Sequence, residues 1–104
     1  MVITVLDAEV DEPNWQILKN AYANETANMP DDIYQTFLIQ SQSQPSSWRI
    51  MTQWRSQEDL NHMRKAEAIP PAVRVFQAAN AKPALSVWDI RTHRINKDSG
   101  YFIK

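Results

Sequence analysis

The feature of the sequence that most restricts the fold is a stretch of eight residues, 48–55, in which two kinds of side chain alternate strictly. Every second position holds a residue suited to a buried face, namely Trp48, Ile50, Thr52 and Trp54. The positions between them hold Arg49, Met51, Gln53 and Arg55. Because successive side chains of a strand point to opposite faces, this alternation predicts a strand with one face on the core.

Both ends of this strand have recognisable boundaries. Pro45 fixes φ and lacks an N–H, so residues 44–47 predict a turn after an earlier strand over 33–43. Ser56 follows the alternating stretch and can accept a hydrogen bond from the first free N–H groups of a helix. The pattern therefore predicts strand, turn, strand, cap and a helix that continues to about residue 67.

The rest of the chain adds two strands and two helices around this unit. A strand is predicted over 2–10, a helix from Pro13 to about residue 26, a short helix from Pro71 to a left-handed stop at Asn80, and a strand over 84–94. This order predicts an α+β fold, the ferredoxin-like split βαβ arrangement with an antiparallel sheet and helices on one face. Residues 1–94 form the predicted domain, and 95–104 a C-terminal tail.

The strands carry apolar side chains on both faces, whereas the helices cover only one. With the turn centred on Pro45 and Ser46, Phe37 would lie opposite Trp54 and Ile39 opposite Thr52, on the helix side. The other face would carry Tyr34, Leu38 and Met51. Such a face is expected to pack against a second copy, which predicts a homodimer with two sheets face to face.

Composition excludes several classes of function. The 104 residues carry a formal net charge of −1, so no basic field is available for nucleic acid or an anionic membrane. There is no Cys, only two His, and a single Gly, Gly100, which excludes a Gly-rich phosphate loop. We therefore expect no metal, flavin or haem. No apolar run is long enough to span a membrane and no signal peptide is recognisable, so a cytoplasmic location is expected.

Four segments together resemble a known family. They are Trp54 on its strand, the run WRSQEDL at 54–60, the segment 71–79, and the closing strand after Pro83. Over residues 1–94 the chain resembles the antibiotic-biosynthesis-monooxygenase-like domains of the dimeric α+β barrel superfamily. The resemblance implies a pocket between the sheet and the helices. It also implies oxidation of an electron-rich aromatic substrate by dioxygen without a cofactor, although other members bind haem or isomerise small lactones.

The sequence departs from the family pattern at two places. Many members have an Ala-His pair late in the second helix, whereas here the corresponding residues are His62 and Met63, so the His is displaced by about 100° around the helix. The haem-degrading members use an Asn on the first strand, and residues 2–10 contain none. The resemblance therefore does not extend to haem binding.

Five residues are candidates for the site. His62 is the candidate catalytic residue, because its ordinary pKa of about 6.5 suits a base for a phenolic proton; the alternative is a solvated surface histidine. The candidate substrate-binding residues are Trp54, Phe37, Tyr22 and Met63. Each of these also has a plain role in core packing.

Two functions remain open at this stage. The first is a cofactor-independent monooxygenase acting on a small aromatic or polyketide-like substrate. The second is a non-catalytic dimeric domain that binds a small ligand or has a structural role. A pocket on which a titratable group converges would favour the first.

Overall fold

The computed structural model describes residues 1–96, which form a four-stranded antiparallel sheet with three α-helices. The strands are β1 (Val2–Glu9), β2 (Ile33–Gln40), β3 (Ser47–Trp54) and β4 (Ala84–Asp89). The helices are α1 (Trp15–Thr26), α2 (Gln57–Ala66) and α3 (Pro71–Ala78), and a 3₁₀ turn at Glu12–Asn14 precedes α1. The strand order β2-β3-β1-β4 confirms the predicted α+β, ferredoxin-like fold.

Local signals in the sequence account for most of the boundaries. The Ser56 hydroxyl accepts a hydrogen bond from the Asp59 N–H at 3.1 Å and so caps α2 as predicted. Asn80 has φ of 58°, the left-handed conformation predicted for the end of α3. β4 is shorter than the predicted 84–94. Its pairing with β1 runs to Asp89, opposite Val2, and beyond it the Ile90 N–H donates to the Met1 carbonyl oxygen at 3.2 Å.

The core lies between one face of the sheet and the helices, in two clusters. The larger cluster is buried under α1 and α3 and contains Leu6, Ala8, Val10, Leu18, Trp48, Ile50, Val75, Phe76 and Ala79. The smaller cluster is covered by α2 and contains Val2, Trp54 and Leu60, with Ile33 and Met63 beside them. As the alternation predicts, Trp48, Ile50, Thr52 and Trp54 are all buried on the helix side.

The prediction for the faces of β2 is wrong. Residues 36, 37 and 38 lie opposite 52, 51 and 50 of β3, so Leu38 faces the helices, and Phe37 and Ile39 lie on the outer face. The predicted pairing of Phe37 with Trp54 is displaced by three residues because the connection is centred one to two residues before Pro45 and Ser46. An odd displacement moves every side chain of a strand to the other face.

Tyr34, predicted on the outer face, is the extra residue at an irregularity of β2, where the register shifts between Ile33 and Gln35. It is exposed, and the Arg55 guanidinium lies 5.5 Å from the centre of its ring. Arg55 also donates a hydrogen bond to the Asp31 carbonyl oxygen at 2.6 Å. These contacts attach the start of β2 to the end of β3.

Candidate functional site

A cavity of about 320 Å³ lies between the sheet and the helices. Its floor is formed by the helix-facing side chains of β1, β2 and β3, and its walls by the end of α1, by α2 and by the segment from Pro70 into α3. The volume is at the lower end of the range for small-molecule sites, about 300–1,000 Å³. Most side chains of the floor are apolar, and the charged groups lie on the helix side.

Trp54 forms part of the cavity floor and is only 4% exposed. Its Nε1–H donates a hydrogen bond to Thr4 Oγ1 at 3.0 Å, so the polar edge of the indole is paired inside the core. Leu60 packs beside it from α2, which begins directly after the Ser56 cap. The hydrogen bond and this packing hold the indole in one orientation, and part of the ring surface faces the cavity.

The predicted site residues are divided between three places. Tyr22, Met63 and Trp54 line the cavity together. Phe37 lies on the outer face of the sheet and is 48% exposed, which contradicts its predicted position on the helix side. His62 is exposed on α2 and does not line the cavity. The α2 side that faces inward carries Leu60, Met63 and Arg64, and the neighbouring position of His62 points elsewhere.

Three threonines lie across the cavity floor in one row. Thr36 of β2 is opposite Thr52 of β3, and Thr52 is opposite Thr4 of β1. All three line the cavity, and Thr36 Oγ1 and Thr52 Oγ1 are 3.3 Å apart. The row separates the two apolar clusters, because the Leu6 and Ile50 layer lies on one side and the Val2 and Trp54 layer on the other.

A cluster of charged side chains joins all three helical segments at the cavity wall. Arg74 of α3 donates hydrogen bonds to both carboxylate oxygens of Glu25 in α1, at 3.0 and 3.1 Å. It also donates to Glu67 after α2, at 3.4 Å, and to the Ile69 carbonyl oxygen, at 2.9 Å. The hydrogen bond with Glu25 is the largest effect and raises the pKa of Arg74. Burial is the second largest effect and lowers this pKa, and the charge of Glu25 and the contacts with Glu67 raise it further.

Arg64 is a second cation of the cavity wall. No carboxylate of the described residues pairs with it, in contrast to Arg74. Its side chain is therefore the positive charge that a bound anion meets without displacing an existing partner. In the described part of the chain, no three His, Cys, Asp or Glu side chains converge as a metal site.

The sequence reasoning missed the threonine row and the Arg74 cluster. The row becomes visible only with the correct β2 register, which places Thr36 beside Thr52. The cluster had one signal in the sequence, because Glu25 lies within the apolar arc of its helix. A carboxylate on a buried arc indicates a buried or half-buried cation nearby, and Arg74 is that cation.

Comparison with solved structures identifies the class of fold. The structure superposes on an antibiotic biosynthesis monooxygenase with a TM-score of 0.65 and 12% identity, over 88% of this chain and 100% of the other. It matches SnoaB, a cofactor-independent oxygenase from Streptomyces nogalater, with a TM-score of 0.66 and 15% identity, over 88% and 94% of the two chains. It also superposes on a variant of MhuD with two manganese protoporphyrin IX bound per active site. The TM-score is 0.70 and the identity 14%, over 92% of this chain and 100% of the other.

The chain therefore has the fold of the antibiotic biosynthesis monooxygenases, as its sequence resemblance predicted. No protein-family model and no curated protein matches the chain. Within residues 1–96, no helix is both long enough and apolar enough to cross a membrane.

Proposed function

We propose that this chain is an oxygenase that oxidises a small aromatic, polyketide-like substrate with dioxygen and without a cofactor. The observation that carries the proposal is the cavity lined by Trp54. The surface of this cavity is mostly apolar and has few polar groups, at defined positions. The shared fold with a cofactor-independent oxygenase supports it. An electron-rich substrate can itself reduce dioxygen, so the protein needs to bind, orient and deprotonate it.

The reaction balances for a phenol with a hydrogen para to its hydroxyl group. One oxygen atom of dioxygen becomes a second ring carbonyl, and the ring loses that hydrogen and the hydroxyl hydrogen. The other oxygen atom leaves as water with these two hydrogens. The substrate supplies all four electrons, and the product is a quinone.

We assign a proposed role to each of several side chains of the cavity. Trp54 and Met63 contact the ring, and Tyr22 lies at the wall from α1. His62 does not line the cavity, so the proposed proton acceptor is Glu67, which Arg74 holds at 3.4 Å through one contact, whereas Glu25 accepts two shorter hydrogen bonds. Glu67→Gln is then expected to lower kcat at least about tenfold, within the contribution typical of general bases, and His62→Ala to leave it unchanged.

The residues of the cavity do not fit haem. No histidine or cysteine is among the described residues that line it, and the Trp54 Nε1–H is already bound to Thr4. The MhuD variant of the same fold binds manganese protoporphyrin IX, but no step of the reaction proposed here involves a porphyrin. Purified protein is expected to show no Soret or flavin band, which an absorption spectrum measures directly.

A non-catalytic ligand-binding domain is the second candidate. It is favoured by the Arg74 cluster, because both carboxylates of the cavity wall are engaged in ion pairs and neither is a free base. In this alternative the protein binds aromatic ligands in the same cavity, and the bound ligand does not consume oxygen.

We further propose that the protein is a homodimer joined through the outer face of the sheet. That face exposes the apolar side chains of Phe37, Ile39 and Trp88, at 48%, 41% and 61%. On the same face, β1, β3 and β4 form a shallow groove lined by Met51, Trp88 and the Arg49–Asp7 ion pair. A second copy would remove these groups from water, whereas a monomer leaves them exposed. Sedimentation at micromolar concentration tests this, and a folded 12.1 kDa monomer would contradict it.

Two measurements test the proposed function in sequence. A thermal-shift screen with phenols and quinols identifies a ligand, since saturation at a hundred times Kd adds about 2.7 kcal/mol of stability. An oxygen electrode then follows that ligand with metal-free protein. Uptake of one dioxygen per quinone formed supports the oxygenase, binding without uptake supports the second candidate, and the absence of binding contradicts both. Trp54→Phe is expected to keep the fold and alter the affinity.

A further inference from the structure

The threonine row is unusual because of its surroundings in the sheet. Along β1 and β3 the helix-facing positions run from an apolar layer, through Thr4 and Thr52, to a second apolar layer. Thr4 is 9% exposed and Thr52 is 6% exposed, so two hydroxyl groups are buried where Val or Ile would fit the strand equally well. A buried hydroxyl without a partner is unfavourable.

Each hydroxyl has one hydrogen to donate and two lone pairs to accept. Thr4 Oγ1 accepts the Trp54 Nε1–H at 3.0 Å, and this bond leaves its own hydrogen uncommitted. Within residues 1–96, no acceptor for that hydrogen is found. Because the indole N–H occupies one of the two lone pairs of Thr4 Oγ1, it also restricts the direction in which the Thr4 hydroxyl hydrogen can point.

Thr36 and Thr52 share a single hydrogen bond of 3.3 Å, in which either oxygen is the donor. One hydroxyl hydrogen of this pair is therefore also free, whichever way the bond runs. Side chains directly opposite each other on neighbouring strands have Cβ atoms about 4.5–5.5 Å apart. When Thr36 donates to Thr52, the free hydrogen of the pair is that of Thr52, directly opposite Thr4. The free hydrogens of Thr4 and Thr52 can then reach the same acceptor atom in the cavity.

We propose that the threonine row is a subsite for an oxygen atom of the ligand, in which Thr4 and the Thr36–Thr52 pair donate two hydrogen bonds to a carbonyl or phenolate oxygen. The inference rests on the proposed function in that the cavity must bind an aromatic ligand. It adds the substrate class, a planar ring with an acceptor oxygen aimed at the sheet. A phenolate formed in the cavity gains most, because hydrogen bonds to a charged oxygen are stronger than those to a neutral one.

The two sides of the row differ in redundancy. Thr4→Val removes one free donor. Thr36→Val leaves Thr52 with an uncommitted hydrogen opposite Thr4, so this single variant retains the second donor. Thr52→Val leaves only Thr36, which is two strands and about 10 Å from Thr4, and the double variant has neither hydroxyl. Thr26→Val is the matched control, because Thr26 lines the same cavity but already donates its hydrogen to the Tyr22 carbonyl oxygen at 2.7 Å.

The test compares 1-tetralone with tetralin, which have the same two-ring frame and differ by the ketone oxygen. Affinities are measured by ligand-detected NMR for the wild type and each variant. Thr4→Val and the Thr36→Val/Thr52→Val double variant are each expected to weaken 1-tetralone about 3- to 10-fold and to leave tetralin within about twofold. Thr4→Ser is expected to restore binding of the ketone, and Thr26→Val to change neither compound.

Infrared difference spectra supply a readout that a purely structural threonine would not move. The carbonyl band of bound 1-tetralone is expected at lower frequency in the wild type than in Thr4→Val, because hydrogen bonding weakens the C=O bond. If Thr4→Val unfolds through the orphaned Trp54 N–H, the Thr36→Val/Thr52→Val variant tests the second donor independently.

The outcomes separate this inference from the proposed function. Equal affinities and an unchanged carbonyl band in all variants would overturn the oxygen subsite and show that water satisfies the row, while ligand binding in the cavity stands. A wild type that binds neither compound would overturn ligand binding in the cavity, and the subsite with it. A tetralin affinity that falls in parallel with that of the ketone would show a packing role and also overturn the subsite.

Discussion

The two faces of the sheet are built from the same strands and similar side chains, yet one face is buried and the other is exposed. On the helix side, Trp48 and Trp54 are 3% and 4% exposed, whereas on the outer side Trp88 is 61% exposed. The difference is not one of hydrophobicity, because each face carries tryptophan and branched aliphatic residues. It arises from the helices, which cover one face and cannot reach the other.

This comparison shows that burial in this fold is assigned by coverage. The covered face holds the core, the cavity and its polar row in one layer. The outer face carries apolar side chains that stay largely exposed in a single chain. A second copy is therefore the proposed partner of this face. Four sets of variants test the distinction, beginning with the largest expected effect.

Neighbouring residues of β2 should respond in opposite ways to the same change. Leu38→Asp places a carboxylate under the helices and is expected to destabilise the fold by about 3 kcal/mol or more. Phe37→Asp lies on the outer face and should change monomer stability by less than about 1 kcal/mol while dissociating the proposed dimer. Urea denaturation and sedimentation velocity measure the two effects. A folded Leu38→Asp dimer beside an unfolded Phe37→Asp would reverse the faces.

Tryptophan residues on the two faces provide the second test. Trp54→Ala removes a buried ring and is expected to cost about 3–5 kcal/mol, toward the lower figure because one side of the ring faces the cavity. Trp88→Ala, measured in the monomeric Phe37→Asp background, should stay within about 0.5 kcal/mol. Similar losses at both positions in chemical denaturation would mean that the outer face is covered within a single chain.

The helix layer that covers the inner face is held partly by Arg74. Arg74→Met should cost about 1 kcal/mol, because Glu25 and Glu67 lose their partner, although partial exposure moderates the loss. Arg64→Met is the matched control, since it lies on the same cavity without an ion pair, and it should remain within about 0.5 kcal/mol. Equal midpoints of urea unfolding for the two variants would show that the Arg74 cluster does not help to hold the helices.

The smallest effect concerns the start of α2, which covers Trp54. Ser56→Ala removes the cap of the Asp59 N–H and should lower stability by about 1 kcal/mol. Ser56→Asp keeps an acceptor at the cap and is expected to restore it. Thermal denaturation measures both variants. Equal unfolding temperatures of the alanine and aspartate variants would contradict a stabilising role of the cap.

The sequence alone determined the order and type of the elements. Alternation over 48–55, the Ser56 cap and the left-handed Asn80 each depend on a few adjacent residues, and each is present in the structure. Trp54 at the cavity followed from the same local pattern, because the position of α2 relative to the end of β3 is set by the chain between them. The tail over 95–104 lies mostly outside the described residues and stays a prediction, as does a cytoplasmic location.

Tertiary structure decided which face of β2 is buried and what the cavity contains. The register of a hairpin depends on the geometry of its connection, and a three-residue displacement exchanged Phe37 for Leu38 on the helix side. The same register brought Thr36, Thr52 and Thr4 into one row from three separate strands. Arg74 reached Glu25 only because α1 and α3 pack side by side. Such sites are made of residues distant in the chain, and no local pattern of side chains specifies their distances.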